Sequence, residues 1–555
     1  MTLNKSNILC LVVLFLFLIF GFFVSSGTIV SIYSDIGREF YVPWQMNEGQ
    51  VLYKDIFNVY PPLGYQLNAF VMNLFSNDIN SLFYMGLISS AFAICAVYFI
   101  SKEYMNNMIA FLLSSLVIFS CVYYPYISNY ISPYSYSVLY AMVTFLWAFF
   151  FLIKYFKTAK INLFYISSLF YGMSVCFKYE FIFFCLVLIG VICYKKMGLK
   201  KGLFSLLCIF FVPILSLATL FIQGCSLSEL ILALKDIISL SSANSVKALY
   251  TNMGFIPSFP TFFAAMKSLF FFALFCSIIF FYSNFIISRK IADIVKILLL
   301  IPIPVFIVII FPLHYATSNA HFLGFGYFSI VILLINLFRK VENKELLLLL
   351  NIVAILSCFK CFGAISLSIY GTFFLPILLV NLVASLDTKK YFIPISCVLI
   401  SLIYLYVKED IYKFSFWKTD AYKITTNLYS DNNYFSERYS KLIPYINENI
   451  KPNEKLLVLP EGCMLNYLTK RKSDNKLYYL IPPNVDVFSQ TSIVERLKLD
   501  MPKYIIVFSN YYKWYNTTTF ANGYGVEIQK FIEENYNVIE EASDKYDKMY
   551  KLKEI

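Results

Sequence analysis

Residues 8–28 read ILCLVVLFLFLIFGFFVSSGT, and a few positions later residues 34–39 read SDIGRE. The first stretch is uncharged and long enough to cross a ~30 Å hydrocarbon core as a helix. It begins after Lys5, outruns the apolar core of a signal peptide and contains no A-x-A cleavage site, so it reads as a retained span whose far end faces outward. The second stretch then sets Asp35, Arg38 and Glu39 just beyond a membrane surface.

Blocks like the first recur down the chain, at 80–100, 107–123, 136–153, 161–177, 181–194, 203–223, 264–287, 295–312, 321–338, 346–359, 372–386 and 391–407, which makes thirteen candidate spans. Of the 555 residues 59% are hydrophobic, 19% aromatic and only 14% charged. That is more apolar surface than one globular core hides, and it lacks the short alternating segments of a barrel. A soluble enzyme, a disordered scaffold and a membrane β-barrel are excluded.

The net charge of +12 is read by location. Lys102; Lys154, Lys157 and Lys160; Lys195, Lys196, Lys200 and Lys201; Arg289, Lys290 and Lys296; Arg339, Lys340 and Lys344; and Lys389 and Lys390 fall in every second loop, as cytoplasmic loops require. Nucleic acid is not implied. The N-terminus is then cytoplasmic, and an odd number of spans puts residues 408–555 outside. The expected fold is an α-helical polytopic membrane domain over 1–407, with extracytoplasmic loops at 29–79 and 224–263, followed by a small extracytoplasmic α/β domain over 408–555. In the first loop Pro43 and Gly49 sit where a short helix places its N1 and C′ residues, and Leu63, Leu67, Phe70, Val71 and Leu74 form a helical stripe after Pro61 and Pro62. In the middle loop Leu230, Ile231, Leu234, Ile237 and Ile238 share a face, with Glu229, Lys235 and Asp236 off it. Both read as helices lying on the membrane surface and roofing a cavity. The tail alternates: helices near 435–449, 491–499 and 526–535, and strands at 456–459, 504–508, near 537–541 and near 548–553.

Asp35 is the strongest candidate for chemistry. On a helix beginning at Ser34, Asp35 and Glu39 stand four residues apart on one face with Arg38 a turn from Asp35. Two carboxylates beside a cation can tune one of them to accept a proton. The plainer reading is an N-capped, solvated helix start. Lys178-Tyr179-Glu180 lies between two otherwise uncharged spans, where ionisable groups are costly and face polar cavities or each other, or else snorkel. His314 and His321 have no third ligand nearby, so zinc is not indicated. Cys358 and Cys361 form a CxxC without the βαβ context of a redox motif, and the other cysteines lie almost all in apolar segments. The Tyr-rich run from Tyr123 to Tyr140 reads either as an aromatic belt or as a groove lining.

The first loop, Ser34-Asp35-Ile36-Gly37-Arg38-Glu39, then Val42-Pro43-Trp44, Gly49 through Phe57 and Tyr60-Pro61-Pro62-Leu63, resembles bacterial GT-C glycosyltransferases of the family 39, protein-mannosyltransferase-like and aminoarabinose-transferase-like branch. Lys178-Tyr179-Glu180 and the tail's Leu459-Pro460-Glu461-Gly462 and Leu465-Asn466-Tyr467-Leu468-Thr469 are similar to the same group. The resemblance implies an enzyme of the cytoplasmic (inner) membrane that takes a sugar from a polyprenyl-phosphate carrier and transfers it to an acceptor hydroxyl outside, with inversion. Asp35 matches the family's general base, Glu39 is the second catalytic carboxylate, and Arg38, Lys54, Lys178 and Glu180 bind substrate. Ile36 separates Asp35 from the next acid, unlike the adjacent acidic pair of the protein mannosyltransferases. Glycolipid, polysaccharide and protein acceptors are all compatible; no cofactor is called for, with a divalent cation left open.

The physical reading agrees: short cytoplasmic loops have no room for a nucleotide-sugar domain, so an external reaction needs a leaving group that arrives in the lipid phase. A transporter or lipid-linked sugar flippase would also use many spans and intramembrane charges, but no inverted repeat or paired Gly/Pro-broken spans are seen. A surface polysaccharide polymerase or ligase would use the same donors.

Overall fold

A computed structural model describes residues 4–32, 35–253, 256, 258–310, 325–340, 343–357 and 373–554. The chain divides into two compact units, one formed by Met1–Ser26, Phe83–Ile214 and Gly254–Phe416, the other by Gly27–Leu82, Leu215–Met253 and Trp417–Ile555. Residues 29–79 and 224–253 fall in the same unit as the tail, and 254–263 in the other. His314, His321, Cys358 and Cys361 lie outside the described residues.

The first unit is helical. Lys5–Ser25, Asn80–Lys102, Tyr136–Thr158, Leu199–Ile222 and Phe392–Trp417 are long and apolar enough to cross a membrane, and shorter apolar helices accompany them. The chain is a multi-pass membrane protein. With lipid outside, apolar burial no longer drives helices together, and small residues and hydroxyls do so instead. Tyr136–Thr158 packs along Ile161–Phe177, where the Ser167 and Ser174 hydroxyls donate to the carbonyls of Ala148 and Ala141, each at 2.8 Å. A Cβ at Gly172 would lie 2.0 Å from the Ile209 carbonyl oxygen, so only glycine admits that approach. Asn336, Asn351 and Asn381, buried on three helices, join their amides in a ladder.

The second unit opens with β1 (Thr28–Ile29), α1 (Ile36–Asn47) and α2 (Pro62–Leu74), continues with α3 (Leu227–Ser242) and α4 (Asn244–Asn252), and is completed by the tail. There β2 (Lys423–Thr425) and β3 (Leu428–Ser430) precede α5 (Asn433–Asn449), β4 (Leu456–Leu459), α6 (Cys463–Thr469), α7 (Pro482–Phe488), α8 (Gln490–Leu499), β5 (Tyr504–Val507), α9 (Val526–Asn535), β6 (Tyr536–Val538) and β7 (Lys548–Leu552). A four-stranded sheet runs β4-β5-β7-β6, with β4 and β5 parallel and the other pairs antiparallel. Leu457, Leu459, Ile505 and Val507 of its parallel pair build the core with Ile493 and Leu497 of α8 and Ile528 and Ile532 of α9. A smaller sheet, β1-β3-β2, pairs Thr28 with Tyr429 and Ile29 with Ser430 in parallel.

Two expectations are corrected. Pro43 lies inside α1 instead of at its start; Gly49, at φ +87°, does follow the helix end. An interior proline costs a hydrogen bond, and α1 tolerates it because Ile36 through Gln45 are all buried by tertiary packing. For the same reason α1 is enclosed by protein and is not an amphipathic surface helix. On α3 Ala233 is buried, Leu230, Ile237, Glu229 and Asp236 are half-buried, and Lys235, Ile231, Leu234 and Ile238 are exposed. Its start is fixed by a capping box in which Ser226 and Glu229 each bond the other's backbone N–H.

Candidate functional site

The site is assembled where α1 meets the tail. A Cβ at Gly37 would lie 2.6 Å from the Met464 backbone nitrogen, so glycine allows α1 to lie directly on α6. Tyr41 anchors the approach: its hydroxyl donates to Asn475 Oδ1 at 2.7 Å and accepts from the Ser473 N–H at 2.9 Å. Asn475 returns an N–H to Gln45 at 3.2 Å, and Tyr467 donates to the Asn77 carbonyl at 2.7 Å.

On this frame Asp35 occupies the position before the first helical residue, yet its side chain makes no capping bond. It is committed elsewhere. Oδ1 lies 3.2 Å from Arg38 Nη1 and accepts the Tyr479 hydroxyl at 2.8 Å. Oδ2 has no hydrogen-bond partner among the described residues, and a third of the side chain is open. Ser34, the cap expected from sequence, lies outside the described residues.

Arg38 is 3% exposed. Its Nε donates to the Tyr65 hydroxyl at 2.9 Å, and its guanidinium lies over the rings of Tyr60 and Tyr479 at 4.6 and 5.2 Å. Stacking on aromatic faces and hydrogen bonding together hold the planar cation in one orientation. The Tyr65 hydroxyl in turn donates to Glu39 Oε1 at 3.1 Å. Glu39, at 1% exposure, is enclosed, and the route from it to Asp35 runs through Tyr65 and Arg38. Of the three charged groups only Asp35 is accessible.

Two residues missed by spacing complete the arrangement. Tyr479 is half-buried, and desolvation first, then the charges of Asp35 and Glu461, push its phenol well above the ordinary range, so it stays a proton donor to Asp35. Glu461 sits across an antiparallel bridge from Tyr479 and accepts the Tyr512 hydroxyl at 2.6 Å. Burial, reinforced by Asp35, raises its carboxyl to about 8 against the pull of the Tyr512 hydrogen bond and Arg38. The available signal was a carboxyl directly behind the apolar strand Leu456–Leu459.

Lys54 lines a separate cavity of about 350 Å³ with Tyr53, Phe57, Asp236, Lys476 and Arg496. Three parts of the second unit wall it: the first loop, α3 and the tail. Lys476 donates to the Tyr53 carbonyl at 3.0 Å, and its ammonium is held below its ordinary range by burial and by Arg496. Lys178 ends the helix Ile161–Phe177 of the first unit and Glu180 follows in a 3-10 turn, Tyr179–Phe184; Lys178 is buried and Glu180 half-buried. In the Tyr-rich run Tyr123, Tyr130 and Tyr136 are fully buried and Tyr130 stacks on Phe373, so these three are packing residues. Among the described residues no group of three or more His, Cys, Asp or Glu side chains forms a metal site.

No family model and no curated protein matches the chain. Among solved structures it is similar to the oligosaccharyltransferase AglB of Archaeoglobus fulgidus in complex with an inhibitory peptide and a dolichol-phosphate, at 13% identity over 90% of this chain and 69% of that one, with a TM-score of 0.46. It is also similar to ArnT of Cupriavidus metallidurans bound to undecaprenyl phosphate, at 11% identity over 98% of this chain and 97% of that one, with a TM-score of 0.46. The apo state of the same ArnT gives 10% identity and a TM-score of 0.45, over 98% of this chain and 97% of that one.

Chemically, the arrangement offers one reachable carboxylate oxygen whose partner oxygen is fixed by a cation and a phenol. Such a group is pre-aimed to take a proton from a hydroxyl placed against it.

Proposed function

We propose that this protein is a GT-C-type membrane glycosyltransferase that moves a hexosyl or pentosyl unit from a polyprenyl-phosphate-linked donor to an acceptor hydroxyl on the extracytoplasmic face of the cytoplasmic membrane. The observation that carries the reading is Asp35: Oδ1 is held by Arg38 and Tyr479 while Oδ2 has no hydrogen-bond partner among the described residues. In the proposed step the acceptor hydroxyl gives its proton to Asp35 as its oxygen bonds to the anomeric carbon. The bond from that carbon to the phosphate oxygen breaks on the opposite side, the electron pair leaves with the polyprenyl phosphate, and the anomeric centre inverts. Arg38 contributes positive charge beside the reacting groups, and Glu39 acts by orienting Arg38 through Tyr65 instead of touching substrate. Lys54 and its cavity are proposed to receive the acceptor, since 350 Å³ with Tyr53 and Phe57 beside charged groups suits one or two sugar units. Lys178 and Glu180 keep a proposed part in donor binding on the strength of the sequence alone.

The test replaces Asp35 with Asn and compares cell-surface glycan masses among wild type, a deletion and the Asp35→Asn strain at equal membrane expression. Loss of the same sugar increment in deletion and variant supports the base assignment, with the variant reduced at least about 100-fold in transfer. A glycan lost on deletion but retained in full by the variant refutes it, and a transporter or flippase role then accounts better for the deletion.

A further inference from the structure

Glu461 is 4% exposed, and among the described residues it forms no ion pair. Its one side-chain hydrogen bond is the phenol of Tyr512 at 2.6 Å. A buried carboxyl without a cation is expensive unless it carries its proton. An amide or an aliphatic side chain would fill the position at lower cost, so what the acid supplies in return is the question. Its surroundings answer it. The backbone partner of Glu461 across the bridge is Tyr479, the same residue whose hydroxyl holds Asp35 Oδ1 at 2.8 Å.

We propose that Glu461 is a positioning residue of the Asp35 site: held by Tyr512 and bridged to Tyr479, it orients the phenol that grips Asp35 and sets the charge that Asp35 faces from the tail. The proposal rests on the reading of Asp35 as the base. Neutral Glu461 leaves Asp35 as the accessible negative group beside Arg38. Ionised Glu461 places a second negative charge there, which competes with Asp35 for Arg38. The groups facing Glu461 are Asp35 and Arg38 from the first loop, Tyr479 from the bridged segment, Cys463 from α6, Tyr439 from α5, and Tyr512 and Tyr524 from the segment between β5 and α9. Burial pushes the Cys463 thiol up to about 12 and raises the phenols, so of these side chains Glu461 is the one whose raised value lies close to neutral pH.

The experiment is infrared titration of the purified, detergent-solubilised full chain from pH 5 to 10. A protonated-carboxyl C=O band should be present at pH 7, vanish with a midpoint near 8 and be absent in Glu461→Gln. In Asp35→Asn the midpoint should fall, because removal of the neighbouring negative charge makes ionisation of Glu461 easier. Tyr479→Phe, which keeps the ring, should alter the midpoint as well, and protects the test should Glu461→Gln fold poorly. A purely structural acid would titrate identically in wild type and Asp35→Asn, and that result overturns the proposal. Glycan profiles separate the two readings. If Asp35→Asn abolishes transfer but leaves the band unmoved, the positioning role fails and the base assignment stands; if the band moves but transfer persists, the base assignment fails and the positioning role falls with it.

Discussion

Replacing Tyr65 with Phe removes one hydroxyl that serves two buried charges. That hydroxyl accepts from Arg38 Nε at 2.9 Å and donates to Glu39 Oε1 at 3.1 Å, and all three residues are at most 3% exposed. A hydrogen bond to a charged group contributes ~1.5–3 kcal/mol net, and the aromatic ring, which does the apolar packing, is retained. With both bonds lost and the shared hydroxyl counted conservatively, the second unit should lose about 3 kcal/mol, roughly two powers of ten in its folding equilibrium. A suitable control is Tyr478→Phe, which removes one buried bond to a neutral acceptor, the Phe57 carbonyl at 2.8 Å, and should cost only about 1 kcal/mol. The assay is equilibrium unfolding in mixed micelles, read by protease protection of the tail, with glycan transfer measured in parallel. Tyr65→Phe should also lower transfer, since Arg38 loses one of its two hydrogen-bonded anchors. A stability loss no larger than that of Tyr478→Phe would refute the claim that Tyr65 couples two buried charges.

Other perturbations give equally direct outcomes. Gly37→Ala sets a methyl 2.6 Å from the Met464 backbone nitrogen and should cost about 1–3 kcal/mol in the same unfolding assay, with transfer reduced because α1 is displaced from α6. Arg438 and Asp547 form a buried two-point ion pair, with Nη2 to Oδ1 at 2.9 Å; Arg438→Met strands the carboxylate and should destabilise the tail by about 3–5 kcal/mol, seen as early proteolysis. Because the carboxyl of Glu461 lies near 8 in the folded chain and near 4.5 when unfolded, the folded state holds the extra proton between these values. Stability from this group is therefore complete below about 4.5 and lost as pH rises through about 8, at up to about 1.4 kcal/mol per pH unit. Glu461→Gln should flatten that slope when unfolding midpoints are compared from pH 5 to 9.

Where neighbours in sequence are also neighbours in space, the elements were readable. The strand at 456–459 and the helix at 526–535 are observed as Leu456–Leu459 and Val526–Asn535, because apolar runs and amphipathic stripes report local conformation. Pro43 misled because burial of ten consecutive residues outweighs one missing hydrogen bond. On α3 the stripe was readable, with Ile231, Leu234 and Ile238 exposed and Glu229 and Asp236 lining the cavity shared with the tail. Periodicity finds the stripe and is silent on which side of the helix has the apolar surroundings. Asp35 and Arg38 were visible as partners at i,i+3. Tyr479 was not, because 444 positions separate it from the carboxylate it holds, and no spacing rule spans that distance.

That separation has a consequence during synthesis. The strand Thr28–Ile29 and the Asp35–Arg38 segment leave the ribosome early, whereas their partners Tyr429, Ser430 and Tyr479 are made hundreds of residues later. At ~5–20 residues per second the gap lasts roughly 20–90 seconds, longer than most small domains need to fold. Throughout that interval Arg38 and the strand edge are without their partners, and a chain cut short before Tyr479 has Asp35 without its grip. On the proposed reading of Asp35, competence for transfer is then a late event that waits on completion of the polypeptide.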